Sequence, residues 1–191
     1  MTETLPAPRE RTDTLPLELP ERTLGYHAAA WMMDNLVQPN GPRAGQPFIP
    51  TDRQIEFLAH FYALTHKGSF VYRQGIRRLS KGSGKSPFAA ALCLFELLGP
   101  CRFDGFDRHE PFGVRAKPMS MPLVQIVATS ESQTANTIRM VRAFCQKKGP
   151  LARKYDLEVA KTFIETPGGG KLQQMTSSAH SMEGGEVSFV V

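Results

Sequence analysis

Gly82-Ser83-Gly84-Lys85-Ser86 is the stretch of this sequence whose residue types and spacing best fit a chemical task. Holding a triphosphate takes small residues that let backbone N–H groups point at the phosphates. It also takes a helix N-terminus behind them, a lysine that reaches the β- and γ-oxygens, and a hydroxyl for Mg²⁺. Gly82, Ser83 and Gly84 fit the first requirement, and Lys85 and Ser86 fit the last two. Lys85 is also the catalytic candidate, because phosphoryl transfer depends on positioning and on charge laid against the moving group. The full pattern G-x-x-x-x-G-K-[ST] asks for glycine at position 79, where this chain has Leu79. Gly82, inside the loop, supplies part of the missing freedom. The blander alternative is a basic, glycine-rich turn at a helix start.

A second candidate is the basic run Arg73, Arg77, Arg78 and Lys81 just upstream. It reads equally as a solvated face or as a contact for phosphate or DNA. Cys93, Cys101 and Cys145 are scattered, with no Cys-x-x-Cys pair and no histidine cluster nearby, so neither a disulfide framework nor a structural zinc site is expected. The net charge of +5 permits an acidic partner without demanding one. With 191 residues, 41% hydrophobic and 21% charged, the chain has the composition of one globular domain. No signal-peptide plan opens the sequence and no apolar run is long enough to span a bilayer, so a cytosolic protein is expected.

These residues need elements to position them. Residues 1–22 are rich in Pro, Glu, Arg and Thr and read as a flexible arm. Residues 23–50 read as a lead-in helix, Thr23 to Gln38, followed by a Gly/Pro linker. A helix over Thr51–Leu64 follows, with Thr51-x-x-Gln54 in the form of a capping box. Phe70-Val71-Tyr72 is a β-type run, and the glycine loop then opens an apolar helix that Gly99-Pro100 closes. Residues 101–121 read as a long irregular connection, Leu123–Ala128 as a buried strand, and Glu131–Gln146 as a helix. Two strands, Thr162–Ile164 and Lys171–Thr176, flank the turn Pro167–Gly170, and a last strand runs over Val187–Val191. Alternating strands and helices predict an α/β domain with a largely parallel sheet over residues 51–191.

The segment YRQGIRRLSKGSGKSPFAAA, Tyr72 to Ala91, resembles the atypical phosphate loop R-[RA]-K-G-x-G-K-[SD]-P-x-A-A-A of large terminase subunits from tailed phages of actinobacteria. The blocks LVQPNGPRAGQPF, VQIVATSESQTANTIRM and TSSAHSMEGGEVSFVV match in the same order, so the resemblance covers about Leu24 to Val191. It implies a P-loop NTPase of the ASCE, RecA-like class that binds ATP and Mg²⁺ and drives double-stranded DNA through a portal protein into a procapsid. It further implies a small terminase subunit as partner, a homo-oligomeric ring, and work in the cytoplasm of a bacterial host. In that family, apolar residues like Ser188–Val191 lead into an acidic Walker B pair, and a nuclease domain follows. Neither is in this sequence, so the resemblance makes the chain a front fragment expected to bind ATP and hydrolyse it poorly.

The same resemblance puts Gln54 in the place of an adenine-reading glutamine, while its spacing to Thr51 gives it a capping role; both stand. Ser130 and Gln133 resemble a post-strand motif near the nucleotide or DNA path, though Ser130-x-x-Gln133 is first a capping box. His180 stands where relatives often carry arginine, which leaves Arg73, Arg77 or Arg78 as alternative phosphate-facing arginines. Two other readings remain open. One is a different P-loop enzyme, a helicase or small-molecule kinase. The other is a non-enzymatic docking module.

Overall fold

The computed structural model describes residues 18–128, 131–146, 149–176 and 186–191. Most of the arm expected over residues 1–22 lies outside them, as do Ser130, His180, Gly184 and Gly185.

Helix α3, Lys85–Leu98, is the centre of the molecule. Its sequence KSPFAAALCLFELL is apolar on nearly every face, and a helix of that kind must be covered all round. Ala90, Ala91, Cys93, Leu94 and Phe95 are fully buried. Helix α1, Gly25–Asn35, packs on one flank of it and α4, Glu131–Cys145, on another, while α2, Asp52–Phe61, packs mainly on α1. Both lead helices are shorter than the periodicity predicts. Thr23 lies outside α1 yet serves its start, accepting from Gly25 N at 2.8 Å and donating to Ala59 O at 2.7 Å.

The predicted irregular connection after α3 is structured. β1, Arg102–Phe106, and β2, Val114–Lys117, form an antiparallel hairpin around a 3-10 turn at Pro111–Gly113. Asp104 on β1 holds Arg115 at 3.1 Å and Lys117 at 3.0 Å on β2.

The main sheet has β3 (Leu123–Ala128), β4 (Glu158–Val159), β5 (Phe163–Glu165), β6 (Lys171–Thr176) and β7 (Phe189–Val190), in the order β4-β5-β6-β3-β7. A short helix, α5, Pro150–Lys154, connects α4 to β4. β3 runs parallel to β6 and to β7, whereas β6–β5 and β5–β4 are antiparallel. The sheet is therefore mixed, which corrects the largely parallel sheet expected from the sequence. The reason is local: β5 and β6 are joined by the tight turn Thr166–Gly170, where Gly169 has φ +83°, and so short a link can only reverse the chain. Among the described residues, no helix is long and apolar enough to cross a membrane.

The three thiols are buried around α3 and α4. Burial pushes Cys101 and Cys145 up to about 12, with the charge of Glu96 adding to the rise at Cys101. The thiolate is the reactive form, so these cysteines are inert while the protein is folded. Ellman's reagent at pH 8 is expected to find no thiol in the native protein and all three in urea. A rapid native reaction would show that this core opens freely.

Candidate functional site

The loop ahead of α3 takes its shape from two glycines. Gly82 and Gly84 have φ of +85° and +77°, the left-handed region that side chains rarely enter, and a Cβ at either would meet open space. The constraint there is conformational, and both residues leave room for a bulky anion. Lys85 is the first residue of α3, with Gly84 as its N-cap and no side chain capping the helix. Apart from the turn at Lys81–Gly82, no backbone N–H from Tyr72 to Ser86 reaches a backbone acceptor among the described residues, and Phe88 N to Gly84 O at 3.2 Å opens the helix ladder. Free amides, a helix N-terminus and exposed glycines are the donor set a phosphate requires.

Lys85 Nζ donates to Leu79 O and to Ser80 O, both at 2.7 Å, and Ser83 Oγ donates to Ser80 O at 2.8 Å. An anion arriving at this lysine has to replace two neutral carbonyl acceptors with charged ones, an exchange that favours the anion. Ser86 is half-buried one residue further into the helix. Among the described residues, no group of acidic, histidine or cysteine side chains forms a metal cluster.

Beside the loop opens a cleft of about 570 Å³, a volume suited to a small ligand. Its walls are Phe57 and Phe61 of α2, Phe88 and Leu92 of α3, Arg73, Gln74, Gly75 and Arg77 of the connecting segment, and residues 187–191 around β7. Phe57 and Phe61 stack with centroids 5.7 Å apart and planes 6° from parallel. Gly75 lies against these rings: a Cβ there would come within 2.9 Å of Phe61 and 3.1 Å of Phe57. Lys85 lines the cleft along with Arg73 and Arg77, and among the described residues no acidic side chain does. Arg77 lies over Phe88 at 4.7 Å and Phe57 at 5.8 Å, and burial lowers its pKa below the usual value.

A buried ionic group backs the cleft. Glu96, 3% exposed at its side chain, accepts from Tyr62 OH at 2.6 Å and from Arg102 Nη1 at 2.8 Å. Burial and the Glu96 charge raise the pKa of Tyr62 well above its ordinary value. Arg102 Nη2 also contacts Met119 Sδ at 3.0 Å and Ser188 O at 3.5 Å, which ties the end of α3 to the approach to β7.

Gly82, Ser83, Gly84, Lys85 and Ser86 thus sit together as the sequence predicts, but the strand expected before them is absent. Phe70 makes one isolated bridge to Leu64, and residues 73–80 carry no regular structure. Gln54 is buried and serves the cap, its Oε1 accepting from Thr51 N at 2.8 Å, and it does not line the cleft. Gln133 falls within α4. Sequence reading missed the aromatic wall and the distinct setting of Arg77. The Phe57/Phe61 pair at i, i+4 was visible, but nothing in the sequence gave its counterparts further along the chain.

No family model matches the chain. It is 38% identical over 192 residues to the Gene 13 protein of Mycobacterium phage L5, covering 91% of this chain and 32% of that protein. It is 37% identical over 190 residues to the Gene 13 protein of Mycobacterium phage D29, covering 90% of this chain and 31% of the relative. The chain spans about a third of the length of these curated relatives. Its fold matches part of the crystal structure of the HK97 bacteriophage large terminase, with a TM-score of 0.59 over 82% of this chain and 28% of that one. The fold is terminase-like. At 15% identity that likeness concerns backbone architecture, and it agrees with the mixed α/β sheet described above.

Proposed function

We propose that this chain is the nucleotide-binding part of a phage DNA-packaging motor, a large terminase subunit whose complete form hydrolyses ATP to move double-stranded DNA into a procapsid. The observation that carries this reading is Lys85 at the first position of α3. It follows two left-handed glycines and a run of unpaired backbone amides, in a chain whose fold matches a large terminase. The amides of Gly82–Ser86 would hold the phosphates and Lys85 would neutralise the terminal ones. Ser86 would supply one ligand to Mg²⁺, the cofactor that bridges and activates the phosphates in this class of reaction. The portal protein, the small terminase subunit, a homo-oligomeric ring and the cytoplasm of the bacterial host belong to the same proposal.

Titrating a fluorescent ATP analogue with Mg²⁺ into this chain and its Lys85→Ala variant tests the reading. Losing a charge-assisted contact to phosphate is worth about 1.5–3 kcal/mol, so the variant is expected to bind at least about tenfold more weakly. Equal binding by both proteins would place the nucleotide elsewhere, and no binding by either would end the ATPase reading for this chain.

A further inference from the structure

The basic run ahead of the loop offers four cations, and their surroundings differ. Arg78 and Lys81 do not line the cleft. Arg73 does, but it also borders an adjoining cleft of about 510 Å³ where Glu96 supplies a carboxylate. Arg77 alone of the four rests on aromatic rings, 4.7 Å from the centroid of Phe88 and 5.8 Å from that of Phe57, two rings that meet edge-on, in a cleft that no acidic side chain lines among the described residues. Its Nη1 is buried and has no hydrogen-bond partner among the described residues.

A guanidinium seated against two rings has less freedom than one in solvent, so its N–H fork is partly oriented before a ligand arrives, and an unpaired buried donor is costly until an acceptor is supplied. Among the described residues, the polar side chains of the cleft are its cations, Gln74 and Ser188. Neither neutral group bonds Nη1, and the Ser188 hydroxyl is already committed to Leu123 O at 3.0 Å. An external anion can be the acceptor, and Lys85 stands on the same cleft to share it. Two cations of different geometry then face one ligand: a mobile point charge from Lys85 and a partly oriented planar fork from Arg77.

We propose that Arg77 is a second cationic contact for the phosphate-bearing ligand of Lys85, chosen over Arg73 and Arg78 by its aromatic seat. This rests on the nucleotide reading above. It goes beyond that reading by naming the arginine and by requiring that the ligand's anionic end enter the cleft beside α2.

Calorimetric titration with inorganic triphosphate tests it, using the wild-type chain, Lys85→Ala, Arg77→Met, Arg77→Lys and Arg78→Met, with the melting temperature of each protein measured alongside. Methionine keeps apolar packing against Phe57 and Phe88 while removing the charge, so an arginine that only packs would leave binding unchanged. Arg77→Met is expected to weaken binding about tenfold or more, Arg77→Lys to weaken it by a smaller factor, and Arg78→Met to stay within about twofold of wild type. Wild-type affinity in Arg77→Met, with binding lost in Lys85→Ala, would overturn the assignment of Arg77 and leave the nucleotide reading standing. If Arg77→Met melts early, Arg77→Lys decides, and wild-type affinity there overturns the assignment as well. Absence of triphosphate binding by the wild type would overturn both.

Discussion

Gly25→Ala is expected to cost at least about 3 kcal/mol of folding stability, although alanine is the better helix former by about 1 kcal/mol. A Cβ at position 25 would fall inside contact distance of Leu58 O and Leu58 C, and 2.5 Å from Ala59 N. All three are backbone atoms of α2, so no side-chain rotation relieves the contact, and α1 and α2 must separate. Separation reaches Leu24, Ala28, Leu58 and Ala59, each fully buried at this crossing. It also breaks the pair of bonds through which Thr23 joins Gly25 N to Ala59 O. Urea denaturation checks the sign: a variant as stable as wild type, or more so, would mean that the helices do not meet at Gly25. The effect extends to the cleft, because α2 carries Phe57 and Phe61, and nucleotide binding should weaken along with stability.

How far the molecule was legible depends on whether each signal was local. α3 was, because an unbroken apolar run between a glycine loop and Gly99-Pro100 has one physical solution, a helix buried on all sides. β3 was too, as a continuous apolar strand with bounds at Leu123 and Ala128. The hairpin β1–β2 was hidden by its composition. Arg102, Asp104, Arg115 and Lys117 look like loop residues until the fold brings Asp104 to its two cations. The mixed sheet was in principle visible, since a glycine turn so short between β5 and β6 dictates antiparallel pairing, and the overall alternation of strands and helices masked it.

The candidate site divides in the same way. Gly82–Ser86 announced itself because phosphate binding by backbone amides is a contiguous device, encoded in a few adjacent residues. The cleft did not, since its walls come from α2, the Arg73–Arg77 segment, α3 and β7, and only packing brings those together. Gln54 shows how one pattern can carry two meanings: the spacing to Thr51 was satisfied by the cap, which uses its side-chain oxygen. Glu96 left a faint trace, a single acid in LCLFELL, but its partners Tyr62 and Arg102 could not be named from that run.

That acid supports the second large prediction. Arg102→Met is expected to destabilise the protein by about 3–5 kcal/mol, because it leaves the Glu96 carboxylate in the core without its cation. Tyr62 OH still donates to Glu96, yet one neutral donor does not replace an ion pair. Removing the charge as well should recover much of the loss, so Glu96→Gln/Arg102→Met is expected to be more stable than Arg102→Met alone, with the introduced amide oxygen still able to accept from Tyr62. Urea midpoints of the two single variants and the double variant measure this coupling, and strictly additive losses would mean that the pair does not act as a unit. A hydrogen-exchange measurement separates the second role of Arg102. Its reach to Ser188 O anchors the approach to β7, which lines the cleft and sets Phe189 edge-on to Phe61. Amides of residues 188–191 should therefore exchange faster in Arg102→Met and also in the double variant, because restoring charge balance around Glu96 does not restore the bond to Ser188. Recovery of protection in the double variant would instead assign the whole effect to the buried charge, and β7 would then be held by its pairing with β3 and the packing of Phe189 on Phe61 without help from Arg102.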